Sequence, residues 1–278
     1  MTTISLRGIN CPDRILVPQT ASDLLNEIQA ITNPRQKDSI VPEIQKSMIS
    51  IQHKLNIAMY QAVLIRSLRI DDYTSFELYP GKLPSSNVTY KICTYSMLNK
   101  DEYLLVLTFF IETFAATVFS LFDVSGSLIN RLYQLNLKEK DVTFINAIEE
   151  LQKQSRIDPN DDVLRLLFSY YSGKKEPAYS GSTPLRDVTW MKPMKEVRNR
   201  TTHRPITDVC DFIRRGDVYS TLYQGIPETD FFLDRDISQS TRLFDFVKEV
   251  FEGVELFVEE LYSYLGQATQ RSGSLPIY

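Results

Sequence analysis

The longest apolar stretch of this chain is LLVLTFFIETFAATVFSLFDVSGSLINRL, from Leu104 to Leu132. It contains no proline and is too long and continuous for a strand, so it predicts a buried helix. A membrane span is the alternative for an apolar run of this length. Glu112 and three threonines lie in its first part, Asp123 follows, and no second run of this kind could complete a membrane bundle. These features favour a core helix.

The polar residues of this stretch share one side of the predicted helix. At about 100° per residue, Glu112, Asp123 and Asn130 fall within roughly 20° of one another. Ser120 and Ser127 lie a little to one side of them. Burying this polar stripe without partners would be costly, so we expect it to face a cationic or hydrogen-bonding element. The basic segment near residue 200 is the candidate for that element.

The basic segment reads Arg198-Asn199-Arg200-Thr201-Thr202-His203. Arginine is a permanent cation that can form a bidentate hydrogen bond with a phosphate, and histidine exchanges protons near neutral pH. Together they can in principle cleave a phosphodiester without a metal. The alternatives are a solvated helix end, or an arginine and a histidine in separate environments with no site. The one other histidine, His53, lies among polar neighbours and is expected to be a surface residue without a role.

The segment resembles the R-x4-6-H motif of HEPN domains, with Asn199 as the polar residue after the arginine. In that family the motif helix packs against a core helix that carries acidic and polar residues. The polar stripe is similar to one branch of that pattern, which implies that Glu112, Asp123, Ser120 and Asn130 support the site. The resemblance covers residues from about 100 to 265.

The resemblance implies a metal-independent endoribonuclease, as in RNase toxins and defence effectors of this family. His203 would act as general base on a ribose 2′-hydroxyl or as acid on the leaving oxygen. Arg198 would stabilise the transition state, and Asn199 would orient the phosphate. RNA, a second copy in a homodimer and, for a toxin, a cognate antitoxin are the implied partners, and no cofactor is expected. Pro205 replaces the tyrosine that nucleotidylated toxins of the family carry two residues after the histidine, so that regulation is not expected.

Charge is distributed unevenly along the chain, whose formal net charge is −4. Between Arg186 and Arg215 there are eight lysines or arginines against four acids, whereas Asp217 to Glu260 holds eleven acids against three bases. Lys195, Arg200 and Arg204 are the predicted RNA-binding cations in the basic region. Two oppositely charged surfaces that steer self-association are the alternative explanation.

Composition indicates an ordinary globular protein, with 43% hydrophobic and 24% charged residues. The ten glycines and the long periodic stretches favour helices over sandwiches or barrels. Cys11, Cys93 and Cys210 are widely separated, so neither a disulfide framework nor a zinc site is expected. The N-terminal segment lacks the apolar region of a signal peptide. We therefore expect a cytoplasmic protein without a membrane segment.

The predicted fold class is all-α, a helical bundle with two long core helices. An N-terminal helical region, residues 1–90, would precede a HEPN-like helical domain, residues 91–278. In the first region Ser22 is expected to cap a helix to about Ile31, and a long amphipathic helix runs from Val41 to near Ile70. Proline and glycine mark residues 71–99 as the boundary, which includes a short strand-like segment near 88–95.

Further helices are expected after the apolar stretch. Proline at position 193 would open the helix of Arg198 and Pro205 would stop it, which places His203 in the final turn. A five-residue offset points two side chains about 140° apart in an ideal helix, so a frayed end would help both reach one phosphate. Asp141 is expected to cap a helix that ends near Gln154, and Pro159 to open another that ends near Tyr171. Ser238 or Ser240 is expected to cap a long helix to about Leu265 with an acidic outer side.

Several catalytic motifs are missing from the sequence. It contains no G-x-x-x-x-G-K-[ST] P-loop, no G-x-S-x-G elbow, no H-E-x-x-H pair and no C-x-x-C. No metal site is therefore predicted. The rival to a nuclease is a non-catalytic HEPN-like helical module that dimerises and binds a nucleotide or a protein, with Arg198 and His203 anchoring an anion.

Overall fold

A computed structural model describes residues 19–32, 40–67, 100–154, 158, 161–171, 179, 181–203 and 243–272. Within these residues it contains α-helices and no strand, which confirms the all-α class. The predicted strand-like segment near 88–95 and the predicted boundary near residue 90 lie outside the described residues. The helices are α1 (Gln19–Ile31), α2 (Ile40–Ser67), α3 (Lys100–Leu132), α4 (Phe144–Lys153), α5 (Asp162–Ser169), α6 (Met191–His203) and α7 (Leu243–Ser272).

The chain divides into two compact units. Unit 1 comprises Met1–Asp13, Ala58–Ala116 and Met194–Phe251. Unit 2 comprises Arg14–Ile57, Thr117–Pro193 and Glu252–Tyr278.

The long helices confirm the periodicity of the sequence, but the start of α1 and the end of α7 differ from the prediction. Helix α1 begins at Gln19, so Ser22 lies inside it and does not cap it. Helix α7 continues to Ser272, well past Leu265. The extension has a physical reason, because Thr269 is fully buried one turn after Leu265 and donates its hydroxyl to the Leu265 carbonyl at 2.7 Å. A threonine satisfied in this way continues the buried face although it is polar.

The caps of α4 and α5 correct two predictions. Thr143, not Asp141, caps α4 and accepts the Asn146 amide at 3.1 Å, while Asp141 belongs to a short 3-10 turn. Helix α5 begins at Asp162, after the predicted start at Pro159, which lies outside the described residues; its cap is Asp161, which accepts the amides of Val163 and Leu164 at 2.8 and 3.2 Å. Burial raises the pKa of the Asp161 carboxyl, against the opposing effect of these two hydrogen bonds.

The core of unit 2 is built around the ring of Phe122, which is 1% exposed. Its centroid lies 4.8 Å from that of Phe257 on α7 and 5.0 Å from that of Phe144 on α4. The rings of Tyr170 and Trp190 lie 5.8 and 6.4 Å away. One side chain of α3 therefore contacts aromatic rings from four other segments.

Polar contacts join further helices of unit 2. Arg131 of α3 pairs with Glu43 of α2 at 3.0 Å and also donates to the Ser47 hydroxyl. Tyr262 of α7 donates to the Met48 carbonyl at 3.4 Å, and burial raises the pKa of this phenol. These contacts and the aromatic core make unit 2 a helical bundle.

Helix α3 contains the one segment in the described part of the chain, Phe109–Leu132, that is long and apolar enough to cross a membrane by length and composition. Core helices pass the same test. In its unit 2 part, Val118, Leu121, Leu128 and Ile129 are fully buried, as is expected of a core helix.

Helix α7 confirms the predicted acidic outer side. Glu249, Glu252 and Glu259 are exposed. Burial raises the pKa of Glu255, and the neighbouring carboxylates of Glu259 and Glu252 raise it further.

Gly126 marks a close approach between α3 and the start of α4. A Cβ at this position would lie 2.9 Å from the Phe144 amide nitrogen and equally close to the Thr143 carbonyl oxygen. Because backbone cannot rotate away as a side chain can, Gly126→Ala is expected to lower the free energy of unfolding by about 1–3 kcal/mol. Urea denaturation followed by Trp190 fluorescence measures this, since Trp190 is the only tryptophan and lies in unit 2.

The matched control is Gly266→Ala on α7. A Cβ there meets nothing within 4 Å, so only the helix propensity changes, and we expect neutrality or a gain of up to about 1 kcal/mol. Equal stability of the two variants would contradict the close approach.

Candidate functional site

Helix α6 carries the predicted catalytic residues. It begins at Met191, two residues before the predicted first position, and its described part runs to His203. Met194 and Val197 are buried, so this face anchors the helix.

The exposed part of α6 includes two of the predicted site residues. Arg198 and Asn199 are exposed, and Lys195 is half-buried. The side chains of Arg200 and His203, and all of Arg204, lie outside the described residues.

The backbone geometry of α6 bears on how Arg198 and His203 can cooperate. The helix is α-helical through His203. In a regular helix a five-residue offset separates the two Cα positions by about 7.5 Å along the axis and about 140° around it. The predicted loosening of the final turn stays a prediction, because the residues after His203 lie outside the described residues. The Cα positions of the two residues therefore lie on different sides of one helix.

The structure shows what Asp123 and Asn130 of the polar stripe do. Asp123 accepts the Phe144 amide at 3.1 Å, at the first turn of α4. Asn130 accepts the Leu137 amide at 3.1 Å and donates to the Leu137 carbonyl at 3.2 Å. The hydrogen-bonding partners found for these two residues therefore belong to the segment that follows α3. They fix its path, which turns at Gln134 and Asn136 with positive φ values of 47° and 58°.

The remaining stripe residues are half-buried. Ser127 donates to the Asp123 carbonyl at 3.4 Å. Support of Arg198 by Glu112 or Asp123, and a role for Ser120, stay predictions. His53 is exposed on α2, as expected.

A polar cleft in unit 2 was missed by the sequence analysis. Its charged lining residues are Arg165 of α5, Arg186 and Glu260 of α7. Glu260 lies 74 residues after Arg186, so no motif or periodicity signals their meeting. Within the described residues, no group of three or more histidine, cysteine or acidic side chains is arranged to hold a metal ion.

Comparison of the chain with protein-family models, curated proteins and solved structures found no match.

Proposed function

We propose that this chain is a metal-independent endoribonuclease of the HEPN type. The proposal depends chiefly on one observation, the exposed Arg198 on the helix that ends at His203. Asn199, also exposed, follows the arginine as in the HEPN motif. A permanent cation and a proton-transfer group in one short helix are the minimum that phosphodiester cleavage requires.

The proposed chemistry uses the ribose 2′-hydroxyl as nucleophile. His203 takes its proton, or donates one to the leaving 5′-oxygen, while Arg198 stabilises the charge on the phosphorane-like transition state. The product keeps a cyclic phosphate, and DNA is not cleaved because it lacks the nucleophile. Lys195, Arg200 and Arg204 bind neighbouring phosphates of the RNA.

The proposed active form is a homodimer. The angular separation of Arg198 and His203 on a regular helix makes it difficult for both side chains of one copy to contact the same phosphate. A two-fold axis, the commonest arrangement of oligomers, can place the arginine of one copy opposite the histidine of the other. The proposed setting is the cytoplasm, as a toxin or defence effector with a cognate antitoxin.

The same helical regularity also favours a second candidate function. Backbone positions about 140° apart around α6 suit two separate anion contacts better than one catalytic centre. In that case the chain is a non-catalytic helical module that dimerises and binds a nucleotide or a protein partner. Expression separates the two candidates: growth arrest that Arg198→Ala relieves indicates a nuclease, and harmless expression indicates the binding module.

An Arg198→Ala variant tests the nuclease directly. It is expected to cleave RNA about 10²–10³ times more slowly, the usual cost of removing one transition-state donor. The assay is run in EDTA, with a cyclic phosphate as the diagnostic product and with a 2′-deoxy substitution at the cleaved position as the inert substrate.

The control is Arg271→Ala, which removes an exposed arginine from the last turn of α7. It should leave the rate unchanged. Equal rates for the parent and Arg198→Ala, or cleavage of the 2′-deoxy substrate, would contradict the proposed mechanism.

A further inference from the structure

The polar cleft of unit 2 has a volume of about 220 Å³. Helix α5, the segment 184–186 and helix α7 form its walls, and its polar side chains are those of Arg165, Ser169, Arg186, Glu260 and Tyr264. Typical pockets for drug-sized ligands measure about 300–1,000 Å³. The cleft therefore suits a small group rather than a whole nucleotide.

One of the two cleft arginines is held rigidly. Arg186 donates from Nη1 and Nη2 to the two carboxylate oxygens of Glu260, at 2.9 and 2.6 Å. This two-point contact fixes the plane of the guanidinium. The hydrogen bond to Glu260 is also the main reason that the pKa of Arg186 is raised. Both oxygens of Glu260 are thus occupied, which leaves this carboxylate poorly placed to recognise a cation.

The other arginine is less completely paired. Arg165 contacts Asp162 through Nη2 alone, at 2.9 Å. A guanidinium has more N–H donors than this one contact uses. Its side chain is 32% exposed, so the remaining donors are open to a ligand.

The hydroxyl groups of the cleft differ in their availability. Ser169 donates to the Arg165 carbonyl at 3.0 Å and accepts the Arg186 amide at 3.1 Å, so it joins the segment 184–186 to α5. Tyr264 lines the same space, and its phenol can donate to a ligand. Arg165, Arg186 and Tyr264 thus present donors from the three walls.

We propose that this cleft binds a single phosphate group, either free or as a monoester. Each cleft arginine pairs with one carboxylate, so the anion is recognised by the guanidinium N–H donors that these pairs leave over, and the volume admits one small anion. Donors on three walls suit a tetrahedral anion, which has oxygens pointing in several directions, better than a planar carboxylate. The inference does not depend on the proposed nuclease activity, because the cleft uses none of its residues.

Titration of the full chain with inorganic phosphate tests the site, by calorimetry and by ³¹P NMR. We expect Arg165→Gln to weaken binding about tenfold or more, because a charge-assisted hydrogen bond is lost. Tyr264→Phe should weaken it about fivefold, since one hydroxyl contact is removed.

The matched control is Arg131→Gln, which removes another arginine of unit 2 that pairs with a carboxylate. It does not line the cleft and should bind phosphate as the parent does. No binding by the parent at millimolar phosphate would overturn the proposal. So would equal weakening by Arg165→Gln and Arg131→Gln.

Two further ligands, methyl phosphate and acetate, establish which anion the cleft accepts. Methyl phosphate that binds as tightly as inorganic phosphate indicates a monoester site, and much weaker binding indicates a site for the free ion. Either result supports the proposal if Arg165→Gln also weakens the binding that is measured. Acetate that competes as well as phosphate would overturn the choice of a tetrahedral anion.

Discussion

Phe122→Ala is expected to lower the free energy of unfolding by about 3–5 kcal/mol, a large part of the stability of an ordinary domain. The ring is buried and lies within 6.4 Å of five other aromatic rings, measured between centroids. Its removal leaves a cavity that helices α4 and α7 cannot both move to fill. Urea denaturation followed by Trp190 fluorescence measures the loss.

Two control variants separate this effect from loss of aromatic area in general. Phe109→Ala changes the same helix at a ring that is 58% exposed, and should alter stability by less than about 0.5 kcal/mol. Phe122→Leu keeps most of the volume and should cost clearly less than the alanine. A Phe122→Ala variant within about 1 kcal/mol of the parent would show that this ring is not central to the core.

His203→Ala is expected to slow RNA cleavage by about 10²–10⁴, the usual contribution of a positioned acid or base. The parent should show a pH dependence of cleavage near neutrality that the variant lacks, because histidine titrates there. The measurement is the rate of cyclic-phosphate formation across that pH range. Binding of uncleavable 2′-deoxy RNA should change much less than the rate.

His53→Ala is the matched control, since His53 is the only other histidine and is exposed on α2. It should retain the rate and the pH profile of the parent. If His203→Ala cleaves as fast as the parent, the proposed acid-base role is wrong, whatever the effect of Arg198→Ala.

The long helices could be predicted because their signal is local. A buried face recurs every three or four residues along α2 and α3, and the backbone alone imposes that period. The start of α4 could not be predicted in the same way. Asp141 and Thr143 are both acceptable caps, and sequence near them does not distinguish the two. The cap at Thr143 coincides with contacts from α3. Asp123 accepts the Phe144 amide, and Gly126 lets the backbone of α3 approach the start of α4.

In the candidate sites, too, the features with a local signal in the sequence could be predicted and those that depend on distant contacts could not. That Arg198, Asn199 and His203 share one helix followed from the flanking prolines, and the structure confirms it. We also predicted that the polar stripe needs hydrogen-bonding partners because it lies on an apolar helix. The partners found for Asp123 and Asn130 are the backbone amides of Phe144 and Leu137. The polar cleft of unit 2 had no signal in the sequence at all.

The sequence by itself determined the all-α class, the long helices with their buried faces, and the spacing of the arginine and histidine on α6. Only the tertiary structure decided which groups satisfy Asp123 and Asn130, and that Arg165, Arg186 and Glu260 line one cleft. The reason is physical. Helical periodicity is a property of neighbouring residues, whereas a hydrogen-bond partner or a cavity wall depends on how segments far apart in the chain pack together.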